Sequence, residues 1–170
     1  MGRKALEGFA VKSRVSAGLV LYRKRKDQLE IFLAHPGGPF FAHKDDGHWT
    51  IPKGEVEKDE DMLATAIREM QEETGIAIDK TQNFIALGSI RQKGGKIVHA
   101  WATEYTGPEP GTCKSNVFEM EWPMGSGRMQ AFPEVDRAEF FALEAAKVKI
   151  KATQIPLLDR LAEQIGQGQK

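Results

Sequence analysis

The segment over residues 60–74 constrains the fold most, because its side chains divide between two faces of one helix. At about 100° per residue, apolar and small side chains share one arc of that helix: Leu63, Ala66, Ile67, Met70 and Thr74. A second face carries Glu69, Glu72 and Glu73 at positions i, i+3 and i+4. Gly75 follows directly and fits the left-handed residue that ends many helices. The pattern predicts a helix that buries one face and gathers carboxylates on another.

The gathered carboxylates favour a cation site. Residues 54–75 hold eight acidic and two basic residues, a net charge of −6. Like charges at this spacing cost a few tenths of a kcal/mol in open water, but about 3 kcal/mol per pair in a groove with an effective dielectric constant of about 20. A cation would offset that repulsion, and all-oxygen ligands favour Mg²⁺ or Mn²⁺. A solvated acidic helix face is the alternative that stays open at this point.

Composition bounds the class of protein. The 170 residues predict a single domain over 1–170, with a short flexible tail over 166–170. Lys+Arg and Asp+Glu both count 24, and this zero net charge argues against a stable nucleic-acid partner. The single cysteine, Cys113, excludes an internal disulfide and is typical of a reducing compartment, so we expect a cytoplasmic protein. No apolar run approaches the roughly 18 residues of a membrane span, so no membrane partner is expected.

Alternating apolar segments predict the remaining elements. Residues 16–22 and 28–34 predict one hairpin joined by a charged turn, and residues 84–92 and 96–105 predict a second. Shorter strands are expected at 49–51, 116–122 and 139–143, a long loop at 35–47, and a closing amphipathic helix at 152–165. Strands combined with one central and one terminal helix predict an α/β domain with a mixed sheet.

Residues 54–76 read GEVEKDEDMLATAIREMQEETGI. This string resembles the Nudix box, in which Gly, five residues, Glu and seven residues precede Arg-Glu-apolar-any-Glu-Glu-any-Gly-apolar, and each fixed position is occupied. A chance match has a probability on the order of 10⁻⁹ per starting position. The resemblance implies the Nudix fold, a mixed β-sheet sandwiched between α-helices (α/β/α), and a Nudix pyrophosphohydrolase with Mg²⁺ as cofactor, for which Mn²⁺ can substitute.

The resemblance also assigns roles within the Nudix box. Metal binding falls to three carboxylates and one backbone carbonyl: Glu69, Glu72, Glu73 and Gly54. Glu60 matches the glutamate that supports the site. Arg68 has Glu72 at i+4 and Glu60 two turns earlier, so we interpret it as a catalytic residue that orients these carboxylates.

The general base is open between a glutamate of the Nudix box, here Glu72, and a distal carboxylate. Glu119 and Glu121 are the distal candidates, because residues two apart share one face of a strand. Glu134 and Asp136 fit a turn role as well as a place in the site. We expect substrate contacts from a lysine beside the Nudix box, two loop aromatics that suit a nucleobase, and two basic residues beside the second hairpin turn: Lys53, Phe40, Phe41, Arg91 and Lys93.

Two further resemblances bear on the substrate, a small-molecule nucleotide. Pro-Lys-Gly over 52–54 is similar to the branch that hydrolyses diadenosine polyphosphates and diphosphoinositol polyphosphates, whereas segments 35–41 and 118–122 resemble bacterial proteins predicted to be nucleoside triphosphate pyrophosphohydrolases. A dinucleoside polyphosphate or a nucleoside triphosphate is the expected substrate. Diphosphoinositol polyphosphates, ADP-ribose, and a sensor that binds a nucleotide without cleaving it are the alternatives. Basic residues clustered in 1–26 keep nucleic-acid 5′ ends open as substrates, and a homodimer is also left open.

Overall fold

The computed structural model describes residues 14–168, so the first part of the basic 1–26 cluster lies outside the described residues. The strands are β1 (Val15–Arg25), β2 (Gln28–Pro36), β3 (Lys53–Glu55), β4 (Ile85–Arg91), β5 (Ile97–Glu104), β6 (Val117–Glu121), β7 (Met129–Pro133) and β8 (Val135–Ala142). The helices are α1 (Met62–Thr74), α2 (Leu143–Lys149) and α3 (Ile155–Gly168), with 3₁₀ turns at Lys93–Gly95 and Ala152–Gln154. The expected α/β fold with a mixed sheet is confirmed.

The main sheet has the order β4-β5-β1-β2-β8, with β3 paired to β1. β1 and β5 run parallel, and the other pairs are antiparallel. One edge of β1 serves two partners, because β3 lies opposite Ser16 to Gly18 and β2 lies opposite Tyr22 to Arg25. β1 and β2 therefore separate near the middle of the sheet. The segment after Pro52 lies in this gap, and its Gly54 lies beside the acidic face of α1.

Two apolar layers hold helices on opposite faces of the sheet. Leu19 and Leu21 of β1 pack with α1, through its buried residues Ala66, Ile67 and Met70. Val20, which points to the other face, packs with the α2 and α3 residues Ala146, Leu157, Leu158 and Leu161. This alternation along β1 is the reason why one strand supports both layers, and it produces the α/β/α sandwich.

β6 and β7 form a separate two-stranded ribbon. Its inner side chains pack among aromatics: Phe118 lies 6.0 Å from Phe132, and Trp122 meets Phe40 edge-on with ring centroids 5.6 Å apart. Val117 and Met129 on the other face are exposed. An isolated hairpin is marginally stable in water, so the contact of Trp122 with Phe40, in the loop after β2, helps to hold the ribbon in place.

Several predicted boundaries shift. The charged turn of the first hairpin shortens to residues 26–27, because Arg23 to Arg25 extend β1. The strand expected at 49–51 forms only isolated bridges, and a regular pairing begins at Lys53. The closing helix continues through Gly168, into the segment expected as a tail. None of the helices among the described residues is long and apolar enough to cross a membrane.

Candidate active site

Local signals at both ends fix the position of α1. The Asp61 side chain accepts a hydrogen bond from the Ala64 backbone N–H at 3.0 Å, which caps the amino end. At the other end Gly75 adopts φ 84°, and its N–H donates to the Gln71 carbonyl at 2.8 Å. Only glycine takes this left-handed conformation at little cost. These caps fix where the helix begins and ends. Its apolar face packs on the sheet, and its acidic face lies toward β3.

The guanidinium of Arg68 lies at the centre of the acidic cluster. It forms a fork with Glu60, from Nε to Oε2 at 2.8 Å and from Nη2 to Oε1 at 3.0 Å. Its Nη1 donates to both Glu69 and Glu72, at 3.0 Å each. These hydrogen bonds lower the pKa of Glu60 to about 2, with Arg68 as the main cause. Arg68 thus orients three carboxylates at once, and the catalytic role that the sequence assigns to it stays a prediction.

Glu69 and Glu73 form the less neutralised end of the cluster. The Glu73 carboxylate accepts a hydrogen bond from the Lys53 backbone N–H at 3.2 Å. Burial, and then the charge of Glu69, raise the pKa of Glu73 to about 8. Burial also raises the pKa of Glu69, although Arg68 opposes this shift. A bound cation would offset the repulsion between these two adjacent carboxylates and would favour their ionised forms.

Gly54 brings the backbone against this pair. A side-chain carbon at position 54 would fall on the Glu69 carboxylate. The backbone of Gly54 can therefore lie this close to the Glu69 carboxylate only because the residue has no side chain. The metal-ligand role that the resemblance assigns to the Gly54 carbonyl is compatible with this close approach, and it stays a prediction.

We expect Gly54→Ala to reduce activity far more than stability. The clash involves the mobile end of the Glu69 side chain, so the helix can keep its place while the carboxylate moves away. A loss of about 100-fold in kcat, with a change in the free energy of unfolding of about 1 kcal/mol, is the expected result. Steady-state kinetics and urea denaturation measure the two quantities. Equal activity of the variant and the wild type would show that the position of Glu69 does not matter.

The cluster fits a hard divalent cation by its chemistry. The side-chain donors are carboxylate oxygens, two of them of raised pKa, and the backbone of Gly54 lies against one of these carboxylates. Among residues 14–168, no three His, Cys, Asp or Glu side chains already converge at metal-binding geometry. The carboxylates of Glu69 and Glu72 instead accept hydrogen bonds from Nη1 of Arg68. Binding of a cation would require these side chains to turn.

The distal base candidates lie on the ribbon. Glu119 is exposed and has Ala131 opposite it on β7. Glu121 accepts a hydrogen bond from the Gly127 N–H at 2.7 Å, so its carboxylate closes the turn between β6 and β7. Glu72, the alternative on α1, is held by Arg68 and is partly exposed. The role of each as general base stays a prediction.

From the sequence, Glu134 could belong either to the site or only to a turn. Its charge contributes to the raised pKa of both Glu69 and Glu73, so it faces the cluster from the link between β7 and β8. Its backbone is fixed on both sides, by donation to the Asn116 carbonyl at 2.8 Å and by acceptance from the Gly37 N–H at 2.9 Å. No sequence spacing could indicate that Glu134 lies near the cluster, because its position depends on how the ribbon returns to the sheet.

His35, fully buried, ties the loop after β2 to β8. Its Nδ1 lies 2.7 Å from an Asp136 carboxylate oxygen, and its Nε2 lies 2.6 Å from the Lys44 carbonyl. Since a carbonyl only accepts, Nε2 must carry the proton at that end. Trp49 packs edge-on against this ring at 5.1 Å. His35 thus has a structural role, with Asp136 as its partner.

The predicted substrate contacts lie in separate places. Lys53 is half-buried beside the carboxylates, and burial followed by the charges of Lys96 and Lys151 lowers its pKa to about 8. Arg91 and Lys93 are exposed at the turn between β4 and β5. Phe40 is 54% exposed and, together with its neighbour Phe41, lies in the loop that faces the ribbon. Only Lys53 lies next to the carboxylate cluster, and the substrate roles of all five residues stay predictions.

Comparison with known sequences places this geometry in a family. The profile described as NUDIX domain matches residues 12–161. The asymmetrical bis(5′-nucleosyl)-tetraphosphatase of Caenorhabditis elegans is 44% identical over 61 residues, which are 36% of this chain and 40% of that protein. The enzyme of the same name from Rattus norvegicus is 66% identical over 46 residues, 27% of this chain and 29% of that protein. The matched segments thus span less than half of these relatives.

Solved structures share the fold over nearly the whole chain. A C. elegans Ap4A hydrolase binary complex has a TM-score of 0.64 and 25% identity, and covers 89% of this chain and 97% of that one. The NUDIX domain of Shewanella oneidensis NrtR, crystallised with ADP ribose, also has a TM-score of 0.64, with 14% identity and coverage of 97% and 99%. Because the family profile spans most of the chain, the protein belongs to the NUDIX domain family.

Proposed function

We propose that the protein is a Mg²⁺-dependent Nudix pyrophosphohydrolase that cleaves a phosphoanhydride bond in a nucleotide, with dinucleoside polyphosphates as the preferred substrates. The observation that carries the proposal is the cluster of Glu69, Glu72 and Glu73 beside Gly54, oriented by Arg68. The matched relatives named asymmetrical bis(5′-nucleosyl)-tetraphosphatase support the substrate class. Pro-Lys-Gly before α1 supports it as well.

Each residue of the cluster has a proposed role. Glu69, Glu72, Glu73 and the Gly54 carbonyl would hold Mg²⁺, which neutralises diphosphate charge and makes a bound water more acidic. Arg68 and Glu60 keep the carboxylates oriented. Lys53, half-buried at the edge of the cluster, places a positive charge where a substrate phosphate would lie.

The general base is proposed to be one of four carboxylates: Glu72, Glu119, Glu121 or Glu134. A base must come within hydrogen-bond reach of the water that attacks, directly or through one further water. Glu134 is favoured among the distal candidates because its charge acts on Glu69 and Glu73. The variants Glu134→Gln and Glu119→Gln distinguish these two candidates when kcat is recorded against pH. Only loss of the general base should abolish the fall of kcat at acidic pH.

A substrate panel tests the proposal. The purified chain is incubated with Mg²⁺ and diadenosine tetraphosphate, the nucleoside triphosphates, ADP-ribose or a diphosphoinositol polyphosphate, and the products are separated by anion-exchange chromatography. We expect ATP and AMP from diadenosine tetraphosphate, and no products when a chelator is present. Pyrophosphate released from triphosphates alone would overturn the substrate class. Mg²⁺-dependent binding without turnover of any compound would favour a nucleotide sensor instead.

A further inference from the structure

Three half-buried lysines from separate parts of the chain meet beside the carboxylate cluster: Lys53, Lys96 and Lys151. Lys53 pairs with Gly18 of β1, and a side-chain carbon at Gly18 would come within 2.9 Å of the Lys53 Cβ. The absence of a side chain at Gly18 therefore leaves room for Lys53. Lys151 is held to the same region, because its N–H donates to the Trp49 carbonyl at 2.8 Å. Lys96 completes the group from the start of β5.

Lys96 and Lys151 belong to segments that meet, because the Gln92 N–H donates to the Lys96 carbonyl at 2.8 Å, and Gln92 and Lys151 line the same cavity. Lys96 lowers the pKa of both Lys53 and Lys151, although burial is the larger cause in each case. Lys53 is attracted in turn by Glu69 and Glu73, so the row of lysines begins at the carboxylate cluster. Within residues 14–168, no salt bridge neutralises any of the three. Partly desolvated like charges without a counter-charge favour an anionic ligand.

A cavity of about 400 Å³ lies beside Lys151. It is bounded by the turn between β4 and β5 on one side and by the connection from α2 to α3 on the other. Its walls are formed by Gly47, Gln92, Lys93, Lys151, Ala152 and Thr153. The polar side chains in this set carry two ammonium groups, an amide and a hydroxyl, and no carboxylate is among them. These are donors suited to phosphate oxygens.

We propose that Lys96 and Lys151, with the cavity beside them, form a subsite for the distal phosphates of a polyphosphate ligand. This orientation rests on the proposed function, since the phosphates to be cleaved would lie at Lys53 and the carboxylate cluster. The subsite selects chains of three or more consecutive phosphates, because a ligand with only a diphosphate places no further negative charge there. The specificity for long phosphate chains thus depends on the connection between α2 and α3, far in sequence from α1.

The first test uses inorganic tripolyphosphate as the probe. Its dissociation constant is measured by isothermal titration calorimetry for the full chain, Lys151→Ala, Lys96→Ala and the control Lys80→Ala. Lys80 is exposed at the opposite end of β4 from the hairpin turn. We expect the dissociation constant to rise about tenfold in each of the first two variants and to stay unchanged in the control. Circular dichroism spectra identical to that of the wild type exclude misfolding. Unchanged affinity in both variants, or no binding by the wild type, would overturn the subsite.

Kinetics separate the subsite from the proposed function. For Lys151→Ala we expect KM for diadenosine tetraphosphate to rise about tenfold while kcat stays within about twofold. If the wild type cleaves diadenosine tetraphosphate but Lys151→Ala has an unchanged KM, the function stands and the subsite fails. If the wild type cleaves none of the panel but its tripolyphosphate affinity depends on Lys151, the function fails and the subsite stands.

Discussion

Replacing Glu73 by Gln lowers kcat by about a thousandfold and, at alkaline pH, stabilises the metal-free protein. Activity falls because a carboxylate of the proposed cation site is lost. Stability rises because Glu73 is buried beside Glu69, with its pKa raised from 4.5 to about 8. In the wild type, the stability present below pH 4.5 is lost as the pH rises through about 8, since the folded state then holds an ionised, buried carboxylate. Glutamine stays neutral throughout.

Two denaturation series test this prediction. Urea unfolding in the presence of a chelator is compared at pH 5 and pH 8.5 for the wild type, Glu73→Gln and the exposed control Glu163→Gln on α3. The difference between Glu73→Gln and the wild type should grow with pH, whereas the control should follow the wild type in both stability and activity. A Glu73→Gln variant that loses stability at pH 8.5, or that retains full activity, would contradict the account.

Replacing Arg68 by Met lowers kcat by at least about 100-fold and destabilises the fold by roughly 2–3 kcal/mol. The guanidinium is shared by Glu60, Glu69 and Glu72, so its loss removes a charged donor from all three carboxylates, of which Glu60 keeps the Thr65 hydroxyl and the Glu57 N–H. The stabilising contribution of Glu60 is present above pH 4.5 and is lost as the pH falls toward about 2. The variant lacks this contribution, so its difference from the wild type should shrink in acid.

Arg68→Lys separates charge from geometry. Lysine keeps the charge but cannot form a fork with Glu60 while it also reaches two further carboxylates. We expect it to recover less than a tenth of the lost activity, and the exposed control Arg14→Met to behave as the wild type in kinetics and urea unfolding. Full activity of Arg68→Lys would show that the fork is not required.

Signals within one helix made the central element predictable. Gly75 and the apolar arc of residues 60–74 place α1 within two residues of its observed start, and its end is as predicted. The spacing of Glu69, Glu72 and Glu73 places the carboxylates on one helix face without reference to any tertiary contact. Arg68 could be interpreted in the same way, because its partners lie one or two turns along the same helix or at its amino end.

Elements that depend on tertiary contacts were not predictable. Among the described residues β7 pairs with β6 alone, and four of its five side chains are exposed, so no hydrophobic alternation marks it. α2 has seven residues, which is too short for a helical period to emerge. The charge of Glu134 acts on Glu73, and that of Lys151 acts on Lys53, only because distant segments of the chain return to the sheet. Sequence spacing carries no information on such contacts.

Titration with Mn²⁺, followed by the electron paramagnetic resonance signal of the free ion, tests most directly whether the α1 carboxylates are a metal site. We expect the wild type to bind at least one Mn²⁺, and Glu69→Gln and Glu73→Gln each to weaken the affinity by at least about tenfold. Mg²⁺ should compete for the same site. Equal Mn²⁺ affinity in the wild type and both variants, or no binding by the wild type in the presence of a nucleotide, would contradict this expectation.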